Sequence, residues 1–410
     1  MTYELKNWSS DHVSIPSPGT LRAFHQTYPL AGEVPNAILT LPDNLLIYLT
    51  GVIRNIPSPP PQVSSSDWNN LLSLMRSHWI IPLVAATVVV WPEEYQPPPV
   101  VLSDLKQAQF TGIARSMLVG RQCSTIIAAL KESGLPALLI KGPALARTVY
   151  AHPSLRQSSD IDLLVKPCDF ERCEEVMAGL GYSCTARTFR ISRHAFHHQT
   201  FLPHKQGVLT EIHWNPDFGF NFFPASWVDA AFDQKIAVSS PDLSFETLNP
   251  VDHLTYLIFH NMIQHNHVRL DWIGDVARLC QQLRVPDEWE AFLSRCVQCH
   301  LRIPLELALS EAGLWYGYEI PQPFADPATW PKPSAREKRL WKYSVTQETS
   351  RRSLMHLHLE GLPGIREKVN YCCRFVIPPP HLMTEYRSSS SSFDIPAAHI
   401  RRWISIVKYL

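Results

Sequence analysis

Two aspartates one residue apart, Asp160 and Asp162 in "SSDIDLLV" (158–165), stand inside an otherwise apolar run. An unpaired carboxylate is costly to bury, so such runs normally exclude charge. In a strand, residues two apart project to one face, about 7 Å from each other along the chain. Asp160 and Asp162 then point together while Ile161 and Leu163 face a core, and the apolar Leu164 confines the polar face to the strand's beginning. Paired carboxylates at a strand end suit Mg²⁺, a hard cation that is usually shared with substrate phosphates. Two such ions about 4 Å apart can hold both the attacking and the leaving oxygen of an in-line displacement. A third carboxylate is expected from a neighbouring strand, and "VLTEIHW" (208–214) supplies Glu211, on one face with Leu209 and His213. Upstream, "LLIKGPALA" (138–146) reads as strand, glycine and helix start, an arrangement that offers backbone N–H groups to a phosphate. Lys141 adds a point charge beside Gly142.

These residues need a small sheet to hold them. Strands are expected at 136–140, 161–165, 181–188, 197–204 and 207–214, with Pro143 opening a helix and another helix running from Asp169 to about Leu180. Around this core the pattern is helical. An N-cap at Ser66 or Asp67 starts one helix, a long helix runs from about Ser103 to Ser133 with Gly134 as its stop, and four more cover 250–266, 271–284, 287–301 and 303–316. The fold class is therefore α+β: a small mixed sheet with helices on one face, flanked by N- and C-terminal helical regions. The boundaries expected are a loosely ordered arm (1–35), an N-terminal helical region (36–134), the α/β core (135–248), a helical region packing on it (249–320) and a Pro/Ser-rich C-terminal region (321–410). That last region carries "SSSSS" (388–392) and a terminal helix from about Pro396.

Composition narrows the function. The 410 residues are 45% apolar, enough for a sizeable core, and 37 Lys plus Arg balance 37 Asp plus Glu. That balance argues against a broad nucleic-acid-binding surface. The start "MTYELKNWSSDHV" lacks a basic n-region and an apolar h-region, and the most apolar run, Trp79 to Trp91, is too short to span a bilayer. The expected location is cytoplasmic, with the nine cysteines reduced and no membrane partner.

The ordered set Lys141, Gly142, Tyr150, Arg156, Asp160, Asp162, Gly181 and Tyr182, followed by "EIHW" (211–214) and "LDWIGDVARL" (270–279), resembles a family of uncharacterised bacterial nucleotidyltransferases. That family lies within the polymerase-beta-type superfamily. The likeness reaches back to "DWNNLLSLMRSHWIIPL" (67–83). It implies transfer of a nucleoside monophosphate from an NTP to an acceptor hydroxyl. One Mg²⁺ on Asp160 and Asp162 would bind the triphosphate, and a second, with Glu211 added, would activate the acceptor. Lys141, Gly142 and Arg156 are the implied nucleotide-binding residues. The acceptor expected is a small metabolite or a peptide rather than extended nucleic acid. One departure is specific: superfamily members have Gly-Ser at the helix start, whereas Gly142-Pro143 here removes the serine's hydroxyl and N–H. The alternatives are a non-catalytic nucleotide-binding scaffold, which loss of those donors favours, and a toxin-like modifier of tRNA or protein.

Other motifs are read more plainly. Arg156 either braces the "DID" loop through Asp160 or Asp162 or meets substrate. "CVQCH" (296–300) spells a haem-attachment motif but falls inside an expected helix, without the second pair a zinc site needs. His253, His260 and His267 share a helix stripe about 10.5 Å apart, too far for any two to bind one ion. They are expected to face the cleft or another helix. "HAFHHQ" (194–199) is expected as a partly exposed strand, with lining of the acceptor site as the lesser alternative.

Overall fold

The period-two segments become strands β1 (Ala137–Ile140), β2 (Asp160–Val165), β3 (Tyr182–Cys184), β4 (His198–Pro203) and β5 (Leu209–His213). They form one sheet in the order β1-β2-β5-β4-β3. Only the central pair β2/β5 is parallel; β1/β2, β3/β4 and β4/β5 are antiparallel. The computed structural model describes residues 15–27, 37–184, 196–203, 207–217, 220–265 and 269–346, with short stretches between 356 and 372.

Register gives the sheet two different faces. Leu139, Leu163 and Ile212 stand opposite one another across β1, β2 and β5. With Ile161 they pack under the long helix α5 (Pro99–Glu132), through Ile126 and Leu130, and under α7 (Phe170–Gly179), through Cys173 and Met177. Each such Leu or Ile removed from water contributes about 1.5–3 kcal/mol. On the other face the Leu138–Leu164 pair joins a larger core shared with the flanking helices, and the next pair along is Ile140–Asp162. The sheet thus has helices on its α5/α7 face, and the opposite face turns polar where β2 begins.

The N-terminal helices are α1 (Pro18–Thr27), α2 (Asp43–Ile53), α3 (Ser65–Ser77), α4 (Ile81–Val89) and α5. Part of the expected arm is therefore helical: Leu21 of α1 is buried, and Arg22 pairs with Asp43 of α2 at 2.7 Å. A three-turn helix offers too few repeats for its period to stand out. Helix α3 is capped by Ser64 rather than Ser66 or Asp67, because Ser64 and Asp67 form a reciprocal capping box. Helix α5 stops at Ser133, with Gly134 at φ +68°, the left-handed conformation glycine tolerates best.

After α6 (Gly142–Thr148) and α8 (Trp227–Asp233) comes a hairpin absent from the sequence reading, β6 (Ile236–Ser240) and β7 (Leu243–Thr247). It is tied to the core by Thr247 Oγ1 donating to the Leu139 carbonyl at 2.6 Å and by Asp242 pairing with Arg147 of α6 at 2.5 Å. The C-terminal helices are α9 (Pro250–Phe259), α10 (Leu270–Cys280), α11 (Pro286–Gln298), α12 (Arg302–Tyr316) and α13 (Ala335–Thr346). Where one helix was expected over 250–266, α9 gives way to a π turn at His260–Gln264. Cys296 and Cys299 of "CVQCH" are packed in the main core. His267, "SSSSS" and the helix expected from Pro396 lie outside the described residues. Among the described residues no helix is long and apolar enough to cross a membrane.

Candidate active site

The polar end of the sheet is set by cross-strand register. Asp162 on β2 stands opposite Glu211 on the parallel β5, and two residues along, on the same face, Leu164 stands opposite His213, which in turn faces His198 on β4. Neighbouring strands lie about 4.8 Å apart, so these side chains meet directly. Asp162 Oδ1 accepts from Lys141 Nζ at 2.6 Å and from His213 Nε2 at 2.9 Å. Glu211 reaches His213 Nε2 at 3.5 Å through one oxygen and His198 Nε2 at 3.6 Å through the other. Asp162 and Glu211 are therefore brought side by side, with Asp160 two residues before Asp162 on the same strand and opposite Leu209.

Lys141 occupies the junction between β1 and α6 with φ 54° and ψ −137°, a conformation that glycine adopts freely and side-chain-bearing residues avoid. Its backbone N–H donates to His253 Nε2 at 3.1 Å. That bond gives His253 of the expected histidine stripe a structural role. Gly142 follows because of close approach: a Cβ there would stand 2.4 Å from Ser158 Oγ. The loop carrying Ser158 is fixed from α5, where Arg115 donates to the carbonyls of Ser158 (2.8 Å) and Ser159 (3.3 Å). Arg156 is anchored elsewhere than the "DID" pair. It forms ion pairs with Asp271 at 3.1 Å and Asp275 at 2.8 Å, both on α10, and Tyr150 Oη donates to Asp275 at 2.7 Å.

Electrostatics follow from crowding. Burial, then the nearby Asp162 charge, pushes the Asp160 carboxyl up to about 6. Burial alone would lower the Lys141 ammonium's pKa, but Asp162, Tyr256, Glu211 and Asp160 outweigh it and hold the pKa above the ordinary lysine value. Burial likewise opposes ionisation of Glu211, yet His213, Lys141 and His198 carry its carboxyl well below the usual range. His198 is lowered to about 4, first by burial and then by His213, so its ring is neutral at pH 7.

A cleft of about 280 Å³ opens over Lys141, Gly142, Asp160 and Asp162. Its far wall carries His260, His265, Arg269 and Trp272. Arg269 lies over Trp272 at 4.4 Å and over Trp79 at 4.9 Å, and its Nε donates to Asp271 at 2.9 Å. His260 and His265 sit 4.5 Å apart at the two ends of the π turn, a local rearrangement frequent at functional sites.

The family model for uncharacterised nucleotidyltransferases matches residues 64–317, which hold every residue of the site and cleft described here. The chain belongs to that family. This nucleotidyltransferase is also similar in part to solved structures. The antibiotic-resistance factor ANT(2'')-Ia matches at 14% identity over 50% of this chain and 98% of its own, with a TM-score of 0.31. An antigenic nucleotidyltransferase-like protein from Paracoccidioides brasiliensis matches at 14% identity over 47% of this chain and 92% of its own, with a TM-score of 0.30. No curated protein matches the sequence.

Several site residues of the nucleotidyltransferase escaped the sequence reading. His213 was visible only as the residue two after Glu211, on the same face of "EIHW". Asp271 and Asp275 are four apart in "LDWIGDVARL" and so share a helix face, a signal that does not say which cation they meet.

Proposed function

We propose that this nucleotidyltransferase moves a nucleoside monophosphate from an NTP to an acceptor hydroxyl, releasing pyrophosphate, with Mg²⁺ held by Asp160, Asp162 and Glu211. The observation that carries the reading is the placement of Asp162 opposite Glu211 on two parallel strands, with Asp160 at the edge of the cleft. Carboxylate oxygens suit a hard cation. The Lys141 ammonium against Asp162 is already a cation standing in that field. When bound, Mg²⁺ would neutralise triphosphate charge and lower the pKa of the acceptor hydroxyl.

The chain's own groups do the positioning. Asp160 and Asp162 point into the cleft from one strand, and Glu211 is kept ionised by His213 and Lys141. Lys141 exchanges Asp162 for a phosphate oxygen when substrate enters, which offsets the donors missing at Pro143. Arg156, fully engaged with Asp271 and Asp275, acts as a positioning residue for the loop that leads into β2. The balanced charge and the small cleft support a small metabolite or a peptide as acceptor.

The test is incubation with each NTP labelled at the α-phosphate, together with Mg²⁺ and fractionated acceptor pools. Label should appear in a small-molecule or peptide fraction with stoichiometric pyrophosphate. Label entering tRNA or protein would move the reading to a macromolecular modifier. Nucleotide binding without pyrophosphate from any pool would favour a nucleotide-binding scaffold.

A further inference from the structure

Two arginines and a lysine line the cleft. Lys141 is closed on Asp162, and Arg156 is held by Asp271 and Asp275. Arg269 differs. Its Nε and Nη2 donate to the two carboxylate oxygens of Asp271, at 2.9 and 2.5 Å, and its Nη1 has no hydrogen-bond partner among the described residues. Contact with the rings of Trp272 and Trp79 fixes the guanidinium further. Burial drives the pKa of His260, on the same wall, well below its ordinary value, so that ring adds no charge at pH 7.

The two indoles come from different parts of the chain. Trp272 is on α10, whereas Trp79 sits in the corner between α3 and α4 at φ 57°, a conformation that side-chain-bearing residues avoid. Its neighbour His78 clasps the start of α10. The Leu270 N–H donates to His78 Nδ1 and the Asp271 N–H to the His78 carbonyl, both at 3.3 Å. Strained backbone of this kind persists where its surroundings over-determine it, and it clusters at ligand clamps.

We propose that Arg269 is the polyphosphate clamp of this cleft: its Nη1 edge takes the distal phosphates of the NTP, and Trp79 is the positioning residue that aims it. The inference rests on the proposed function in taking an NTP as ligand. The reacting α-phosphate belongs beside Asp160 and Asp162 at the start of β2, so the phosphates beyond it run to the opposite wall, where Arg269 stands. A guanidinium held along one edge by a carboxylate keeps further N–H groups that match phosphate oxygens. Asp271 is shared with Arg156, so the buried Arg156–Asp275 pair steadies the clamp from behind.

The full chain is titrated with inorganic tripolyphosphate in Mg²⁺, and separately with each NTP and its NMP. Arg269→Gln should weaken tripolyphosphate and NTP at least about 10-fold while leaving NMP within about 2-fold. Trp79→Ala should weaken tripolyphosphate at least about 5-fold, and Trp79→Phe, which keeps an aromatic face, should restore most of the loss. Lys131→Gln, the same charge change at the exposed end of α5, should alter nothing. Should Arg269→Gln fail to fold, Arg269→Lys decides, since it keeps the charge without the fork and should still lose at least about 5-fold. Tripolyphosphate bound as tightly by the Arg269 variants as by wild type, equal losses for NTP and NMP, or an equal effect of Lys131→Gln would each overturn the proposal. Arg269-dependent tripolyphosphate binding in a chain that releases no pyrophosphate would support the clamp while contradicting the proposed transfer.

Discussion

Lys141 is held in a backbone conformation that costs roughly 1–3 kcal/mol for a residue with a side chain. Glycine would remove that cost but would leave Asp162 without its nearest cation. Breaking a buried pair by removing one partner typically costs about 3–5 kcal/mol. Lys141→Met should therefore destabilise the metal-free protein by that order in urea, and adding Asp162→Asn should restore most of the loss. A single variant as stable as wild type would show that the pair does not support the fold. Asp160 behaves in the opposite sense. Its carboxyl titrates near 6 in the folded chain against 3.8 otherwise. Between those values the folded state holds the extra proton, so stability falls as pH rises through that window, and the full cost stands above about pH 6. Asp160→Asn should accordingly stabilise the metal-free protein at pH 8, on the order of 1–3 kcal/mol, with the gain shrinking toward pH 4. Thermal melts in chelator at the two pH values check this; equal gains at both would show that charge is not the cause.

Among the elements, β2 matters most, and its ends are tied to parts of the chain far away in sequence. The loop entering it is held by Arg115 from α5 and by the Arg156 link to α10. Asp275 is fully buried, so Arg156→Ala leaves it without its cation as well as freeing the loop. Faster amide hydrogen exchange at residues 157–159, with exchange in α7 unchanged, is the expected result. Unchanged protection at 157–159 would remove Arg156 from any positioning role. The strands around this loop were legible as short apolar runs, and in β2 the carboxylates alternate with apolar residues only at its start, "DIDL", before the buried "LV". The hairpin of β6 and β7 was not, since β6 has no buried residue and the two-residue turn, Pro241-Asp242, is neither Asn-Gly nor Asp-Gly. The π turn was equally invisible, because one extra residue per turn leaves the apolar pattern of "YLIFHNMI" almost unchanged. Arg156 meeting Asp275 spans 119 positions, and no local pattern encodes such a choice.

In the whole molecule the sheet separates two environments. One face is sealed by α5 and α7, and the other leads from an apolar core to a cleft walled by α10 and the π turn. The three carboxylates could be read from the sequence because each sits on a strand with a countable face. His213 and His198 beside them depend on how β4, β5 and β2 pair, and the Arg269–Trp272 wall on how the helical region docks, neither of which periodicity specifies. The central claim is that Asp160, Asp162 and Glu211 act together on an NTP, with Glu211 serving the acceptor rather than the nucleotide. Glu211→Gln keeps size and hydrogen bonding while removing the charge. Calorimetry of NTP·Mg²⁺ binding should give a dissociation constant close to that of the wild type. Pyrophosphate release by the same preparation should fall at least about 100-fold, on the order of 3 kcal/mol of barrier. Equal loss of binding and turnover would contradict that division of labour, and near-wild-type turnover would remove Glu211 from the site altogether.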